Sequence, residues 1–575
     1  MKKNSYLIFK HLKKGPPMNR LTKAIMLLLT FIIYLGTTAL VKSAEYPKAG
    51  AACSTLVKQG VWTWYNDPRA VYYKGTKEKT YVGYFSTATD PGAAAVASYD
   101  HSNGTIQTFN LITNFGFDDH NNTTVFVRND GYIMTFYSKH YGPDIRMRIS
   151  ANPEDISSFQ AEKVVFTGSN TYPNVVQLSD EGPNGNRLFL FFRGPSTVNY
   201  DAGQPYFQTS DDGGNTWSSA IRYFDGISGG TFPAGLRPYV KYVSNGKDKI
   251  YMLIERDNRN NAPSKPTYIM YYYKEAFYRM NGTKIKTVNE VKTSPINIYD
   301  VDVVFDPSNF PEVPGTIVGT GWDIALDKDG YPVFVFDIYD RSTGQNHRYY
   351  YFRWDGTKFN HYFLVNSGGP MTEGGVELGF GGGIALDHEN PDIVYLSTQI
   401  AGNFELQRWV TQDKGKTWKY WEITKNSGSN KNCRPIVPRG TPGGKIDVVW
   451  NCGLYASFAT KPISMDVKLF TFDSLKMSDG ITAARPNFER RAPKDEGINN
   501  IENGFMFNLI ESSTAQLKLF DCKGRFVADL TNKLRLMKNG MNKITLRELK
   551  LARGSYIAKL FDGRKYHVQD FIINK

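Results

Sequence analysis

A chain of 575 residues exceeds what one ordinary hydrophobic core sustains, so it divides into domains unless a large repeat architecture absorbs the length. The net charge of +14 suggests a polyanion binder, but residues 1–44 hold eight basic and no acidic residues, and residues 485–575 hold 18 basic against ten acidic; residues 45–484 are therefore close to neutral. That distribution argues against a global field for nucleic acid, and attraction for an acidic partner has to come from a local cluster.

In chain order, the first feature is a basic run (Lys2, Lys3, Lys10, Lys13, Lys14, Arg20, Lys23), then an apolar stretch from Ala24 to Val41 and small residues at Ser43 and Ala44. The order predicts a signal peptide over 1–44, with Met18 opening a shorter version, and hence a secreted or cell-surface protein. A membrane anchor is the competing reading; no later stretch is apolar enough to span a bilayer.

From about residue 58 to 475 short β-rich runs follow one another, among them KTYVGYFS, TTVFVRN, GYIMTFYS, RLFLFFRG, KIYMLIER, YPVFVFDIY and DIVYLSTQ. Clusters of Gly, Asn and Asp separate them, and no amphipathic helical segment of useful length intervenes, so residues 45–484 read as an all-β domain. Two segments, Ser210–Trp217 (SDDGGNTW) and Thr411–Trp418 (TQDKGKTW), share the pattern S/T-x-D-x-G-x-T-W. In it Asp and Thr satisfy turn amides, Gly takes a backbone conformation closed to other residues, and Trp packs under a hairpin. Such turns far apart among evenly spaced strands predict a radial repeat. Beyond it lie a charged linker, 485–500, and a strand-rich domain of β-sandwich type, 501–575.

Four cysteines are too few for a disulfide framework. Cys433 and Cys452 flank a predicted hairpin, whereas Cys53 and Cys522 are distant. Three readings stay open: a Cys433–Cys452 disulfide, a structural zinc or calcium site that adds His347 (or His361 or His388), and inert thiols. No cofactor is expected for catalysis.

Two of the eight histidines have an unusual setting. His120 lies in FDDHNN just before a strand, and His140 ends the paired strand GYIMTFYSKH. An antiparallel hairpin of Thr123–Val127 with Tyr132–Ser138 brings its open ends, and so both imidazoles, together. Two imidazoles at one rim form an acid/base pair near neutral pH, or a structural, mutually hydrogen-bonded pair.

The S/T-x-D-x-G-x-T-W segments resemble the Asp-boxes of sialidase-type propellers. WTWYNDPRAVYY, DDHNN, the histidine twenty residues on, TYPNVVQL, LFLFFRG, the first Asp-box and RPYVKY together resemble the BNR-repeat family that contains ulvan lyases, lyases of rhamnosyl-glucuronate and a branch of rhamnosidases. The likeness covers roughly residues 58–465 and implies a seven-bladed propeller. It also implies a cleft lined by His120, His140, Tyr172 of TYPN and Arg193 of FFRG. Asn121, Arg237, Tyr239, Lys241 and Arg256 are candidate substrate contacts, with Tyr239 and Arg256 a competing Tyr–Arg pair because SDEGPNGN lengthens the Tyr172–Arg193 interval. The tail, ending GSYIAKLFDGRKYHVQDFIINK, resembles C-terminal sorting domains of the type IX secretion system, which implies the secretion machinery as a partner; a carbohydrate-binding accessory domain is the alternative.

What the resemblance implies is β-elimination on an acidic polysaccharide or oligosaccharide by a monomer. The proton at C5 of a uronic acid leaves with the oxygen at C4, so a carbanion forms beside a carboxylate that something must neutralise. Arg193 suits that role through two charge-assisted hydrogen bonds. His140 stabilises the enolate-like intermediate, and His120 and Tyr172 divide the C5 proton and the leaving oxygen in an order the residues do not specify. Rival readings are a rhamnosidase-type hydrolase and a non-catalytic glycan-binding propeller. A hydrolytic carboxylate pair is disfavoured because adjacent Asp118 and Asp119 point apart if extended.

Overall fold

A computed structural model of the protein describes residues 53–573 apart from 196–202, 226–237, 256–265, 311–316, 456–463, 472–480, 483–497 and shorter stretches. The expected signal peptide and most of the expected linker fall outside the described residues, as do Arg237 and Arg256. The chain forms two compact units, Met1–Ala483 and Ala484–Lys575. No helix among the described residues is long and apolar enough to cross a membrane.

The first unit opens with β1 (Ser54–Val57), β2 (Gly60–Val61), β3 (Ala70–Lys74), β4 (Glu78–Ser86), β5 (Ala93–Asp100) and β6 (Ile106–Ile112). Strands β2 to β6 make the first sheet, in which β2 and β3 both pair with β4. An eight-stranded sheet follows, with β7 (Thr124–Val127), β8 (Ile133–Tyr137), β9 (Gly142–Asn152), β10 (Asp155–Phe159), β11 (Lys163–Leu178) and β12 (Arg187–Gly194), then Gln204–Ser210 and Ile221–Arg222. The sixteen residues of β11 serve two partners: Lys163–Asn170 pairs with β9, and Thr171–Leu178 with β12. Further sheets start at Tyr239, Ile317, Ile384 and Lys431, and β1 pairs with Ser464–Thr471 at the edge of the last, so the N-terminal strand completes the sheet formed by the end of the unit. Joining first strand to last covers an edge that would otherwise offer unpaired backbone groups.

Strand burial explains the face-to-face stacking. Central strands such as Pro332–Asp340 are buried at every position, which requires apolar neighbours on both faces, whereas the outer β6 alternates. In β12 Leu188, Leu190 and Phe192 enter one core with Met134, Phe136 and Met147, while Phe189 and Phe191 enter another with Ile250, Met252 and Ile254. One strand thus packs its own sheet on one face and the sheet that starts at Tyr239 on the other. Both Asp-boxes close as expected: Asp212 accepts from Thr216 N (2.9 Å) and Thr216 Oγ1 (2.6 Å), Asp413 from Thr417 N (2.8 Å) and Thr417 Oγ1 (2.7 Å), and Trp418 is buried under its turn.

The segment from Trp62 to Arg69, between β2 and β3, runs through the middle of these sheets. Trp62 Nε1 donates to Arg434 O (3.1 Å), the Trp64 carbonyl accepts from Lys241 Nζ, Asn174 Nδ2 donates to Tyr65 O (2.7 Å), and Trp64 meets Trp322 edge-on at 5.8 Å. Four further sheets are fixed to this one octapeptide, which sets the spacing of the residues around it.

The second unit contains two antiparallel sheets, one built from Ile498–Ile501, Gly504–Leu509 and Gly540–Thr545, the other from Gln516–Asp521, Phe526–Asp529, Gly554–Phe561 and Tyr566–Ile573. Leu517, Leu519, Ile544, Ala558 and Leu560 share one small apolar cluster.

Candidate active site

The hairpin β7–β8 pairs Thr124 with Phe136 and Val127 with Ile133, which leaves its open end at residues 120–123 and 138–141. There the imidazoles of His120 and His140 stack with ring centroids 3.9 Å apart and planes 2° from parallel. Asn121 fastens the two chain segments: its Oδ1 accepts from His140 N (2.8 Å), and its Nδ2 donates to Phe115 O (3.2 Å) and Gly116 O (3.1 Å). Expected to contact substrate, Asn121 is instead 2% exposed with its amide committed to the backbone, and it acts by holding His140 in place.

Asp118 and Asp119 depart from the extended geometry assumed above. Asp118 caps a short 3₁₀ turn, Asp119–Asn121, accepting from His120 N (2.9 Å). The turn swings both carboxylates onto one imidazole: His120 Nδ1 lies 2.5 Å from Asp118 Oδ1 and 3.2 Å from Asp119 Oδ1. The other oxygen of Asp118 takes His140 Nδ1 at 3.1 Å. One carboxylate therefore serves two stacked imidazoles.

This sharing splits their proton affinities. Burial opposes charge on His120, but Asp118 and then Asp119 outweigh it and raise the ring to about 10. Burial and the charge on His120 together lower His140 to about 4, against the pull of Asp118. Burial alone would raise Asp118, yet the His120 imidazolium holds its carboxyl well below the usual range. Near neutral pH the arrangement is one imidazolium, one neutral imidazole and one carboxylate. Asp119 is held in turn by Arg434 Nη1 (2.6 Å) and Tyr455 OH (2.8 Å), both fully buried, Arg434 from the last sheet of the unit and Tyr455 directly after its strand Ile446–Leu454.

Tyr172 sits where β11 changes partner. The register with β12 shifts between Thr171 and Asn174, and Tyr172 takes a left-handed backbone conformation (φ +62°). Such a bulge re-aims a side chain, and a non-glycine residue there stores roughly 1–3 kcal/mol of strain. Its ring lies 5.5 Å from His120, and burial, then Tyr239, push its hydroxyl well above the ordinary tyrosine value while Arg193 opposes them. Arg193 pairs across the strands with Thr171, beside the bulge. The inserted SDEGPNGN residues fall in the turn at the far end of this hairpin, so they leave the Tyr172–Arg193 juxtaposition unchanged. The Arg193 guanidinium is 5% exposed and lies over three tyrosine rings, Tyr172 (4.8 Å), Tyr239 (4.9 Å) and Tyr141 (5.0 Å). Its donors meet no carboxylate among the described residues; the Tyr239 hydroxyl, which supplies a side-chain hydrogen bond, and the neighbouring tyrosines are what surround it. A buried guanidinium with no carboxylate partner among the described residues is poised for an anion.

Tyr239 belongs to this cluster and shares a cavity lining with Tyr172 and Arg193. Lys241 does not reach outward: its Nζ is bound by Asp67 Oδ2 (2.8 Å) and the Trp64 carbonyl, 3% exposed. The metal trio also fails. Cys452 pairs with Asn432 and Cys433 with Asn451, so the two thiols point to opposite faces of one sheet and stay unbridged. His347 spends its ring nitrogens on Asp337 (2.7 Å) and Leu378 O (2.9 Å). Among the described residues only Asp118, His120 and His140 converge closely enough to ligate a metal. The sequence reading missed Arg434 and Tyr455, which stand more than 300 positions from Asp119, and Tyr141, whose ring stacks on His140 at 4.3 Å.

No curated protein matches the sequence. Among solved structures, a polysaccharide lyase of family PL25, an ulvan lyase bound to -[GlcA(1-4)Rha3S]-, superposes with a TM-score of 0.53 at 16% identity over 75% of this chain and 97% of that one. The polysaccharide lyase Uly1 gives 0.45 at 13% identity (75% and 100%), and the β-propeller domain of the Trilobed protease from Pyrococcus furiosus 0.35 at 10% (75% and 99%). At 16% identity the likeness to the ulvan lyase is one of fold alone. Residues 79–367, just over half of the chain, match the BNR repeat-containing family, and the protein belongs to that family.

Proposed function

We propose that the protein is a polysaccharide lyase that cleaves a glucuronate- or iduronate-containing glycan, of ulvan or rhamnosyl-glucuronate type, by β-elimination. The observation that carries this reading is the combination of a buried Arg193 guanidinium that faces no carboxylate among the described residues with two imidazoles of opposite protonation state on one carboxylate. Arg193 binds and neutralises the uronate carboxylate, which lowers the cost of a carbanion at C5. The His120 imidazolium supplies a second positive charge to the enolate-like intermediate. His140, neutral and donating Nδ1–H to Asp118, has its basic lone pair on Nε2 and takes the C5 proton. The electron pair of the C5–H bond forms the C4–C5 double bond as the C4–O bond breaks, and Tyr172, protonated at neutral pH, gives its proton to the departing oxygen. This order exchanges the parts first expected of His120 and His140, because an imidazolium cannot act as a base.

A hydrolase of the rhamnosidase branch fits less well, since Asp118 and Asp119 are both engaged by cations and offer no acid/base pair. Division of the eight-stranded sheet at the β11 bulge leaves the first unit with seven sheets of four to six strands beside one two-stranded pair, which supports the seven blades of the reading. The N-terminal segment as a signal peptide and the second unit as a sandwich-type sorting domain complete the proposal of a secreted enzyme.

The test is incubation with ulvan and with rhamnosyl-glucuronate oligosaccharides while ultraviolet absorbance of a 4,5-unsaturated uronate is followed. New absorbance supports elimination; free rhamnose without it means hydrolysis, and saturable binding without product means a binding module.

A further inference from the structure

A second group of charged side chains surrounds a small cavity that the cleft does not use, where the first strands of several sheets converge. The indoles of Trp64 and Trp322, Ile384, and the guanidinium groups of Arg69, Arg434 and Arg439 line it. Its volume of about 20 Å³ holds one particle of water or halide size.

The hydrogen-bond inventory around this cavity is lopsided. Every oxygen of the two carboxylates that line it already accepts from at least one donor. Asp67 Oδ1 accepts from Arg69 Nε (3.2 Å) and Oδ2 from Lys241 Nζ (2.8 Å). Asp323 Oδ1 accepts from Ile324 N (2.9 Å) and Oδ2 from Leu386 N (3.1 Å), with His388 Nε2 at 3.0 and 3.1 Å from the two oxygens. Arg439 Nη1 reaches His388 Nδ1 at 2.6 Å, which makes that nitrogen the acceptor and assigns the Nε2 proton to the bond with Asp323. The donors are not used up. Arg439 Nη2 stands 3.7 Å from Asp323, beyond hydrogen-bond distance, and the fully buried Arg434 leaves Nε without an acceptor. With Asp119 counted against Arg434, four cations (Arg69, Lys241, Arg434, Arg439) face three carboxylates (Asp67, Asp119, Asp323).

Surplus donors and one surplus positive charge around a one-particle cavity call for an anion: the Arg434 Nε is buried without an acceptor, Arg439 is only partly exposed, and a metal cation would be repelled by the three guanidinium groups of the lining. We propose that this cavity is a halide site, filled by chloride held between Arg434 and Arg439 against the two indoles. By tying the Trp62–Arg69 segment to the last sheet, the ion stabilises the unit that carries the cleft. The assignment does not depend on the reaction proposed above.

Two measurements on the full chain test it. Crystals soaked in bromide are expected to show an anomalous peak in this cavity, and the wild type is expected to melt about 2 °C higher in saturating chloride than in gluconate at equal ionic strength, a gap that Arg439→Gln abolishes. Absence of the bromide peak, with an ordered water in its place, overturns the proposal, and so do equal melting temperatures in the two salts or an undiminished chloride effect in Arg439→Gln. The bromide result needs no variant and stands even where Arg439→Gln fails to fold.

Discussion

His120 with His140, and His347, are three imidazoles bonded to carboxylates in one all-β unit, yet they are built to opposite ends. His347 is fully buried between Asp337 and a backbone carbonyl, each bond between a single donor and a single acceptor. The cleft pair crowds two rings onto one carboxylate, so only one of them gains the full ion pair. A histidine–carboxylate contact is thus no mark of a site by itself; competition for a shared partner is what separates proton affinities and creates an acid and a base at one pH.

Removal of the rings breaks this comparison most sharply. His140→Ala and His120→Ala are each expected to lower the elimination rate by about 10²–10⁴-fold, read from unsaturated-product absorbance; in calorimetry His120→Ala also lowers the melting temperature, because Asp118 and Asp119 lose their imidazolium, whereas His140→Ala leaves it nearly unchanged. His347→Ala is expected to do the reverse, costing about 1–3 kcal/mol of stability through stranded buried partners while the folded fraction keeps its turnover. Asp118→Asn, which removes the object of the competition, is expected to bring the two imidazoles back toward a common titration and to lower kcat by about 100-fold. Gly203→Ala is a smaller perturbation: a Cβ there would lie 2.4 Å from Arg193 Cγ, so the guanidinium shifts and KM is expected to rise about tenfold with a smaller change in kcat.

Stability against pH sharpens the contrast by the smallest amount. His120 binds its proton more tightly folded (about 10) than unfolded (about 6.5), so its stabilisation is complete below about 6.5 and fades as pH rises toward 10. His140 binds more weakly folded (about 4), so its contribution is complete above about 6.5 and fades as pH falls toward 4. Calorimetry of wild type against His120→Gln is expected to show a smaller alkaline decline in the variant.

Local patterns carried much of this architecture in the sequence. Alternating short strands announced an all-β unit, the Asp-box residues dictated their own turns, and hairpin geometry put His120 beside His140. What stayed hidden depended on contacts between distant segments. The anchoring of Asp119 by Arg434 and Tyr455 joins positions more than 300 apart, and the committed bonds of Lys241 follow from the path of the Trp62–Arg69 segment. Asp118 and Asp119 were misjudged for a local reason: adjacent residues face apart in a strand, but a capped 3₁₀ turn gathers both onto His120.

The division of labour between the two rings is tested most directly by an NMR titration of the imidazole resonances of His120 and His140, assigned through single variants. The account predicts that His120 keeps its proton beyond pH 8 while His140 stays neutral down to about pH 5. Titration of both rings together near pH 6.5 would contradict it.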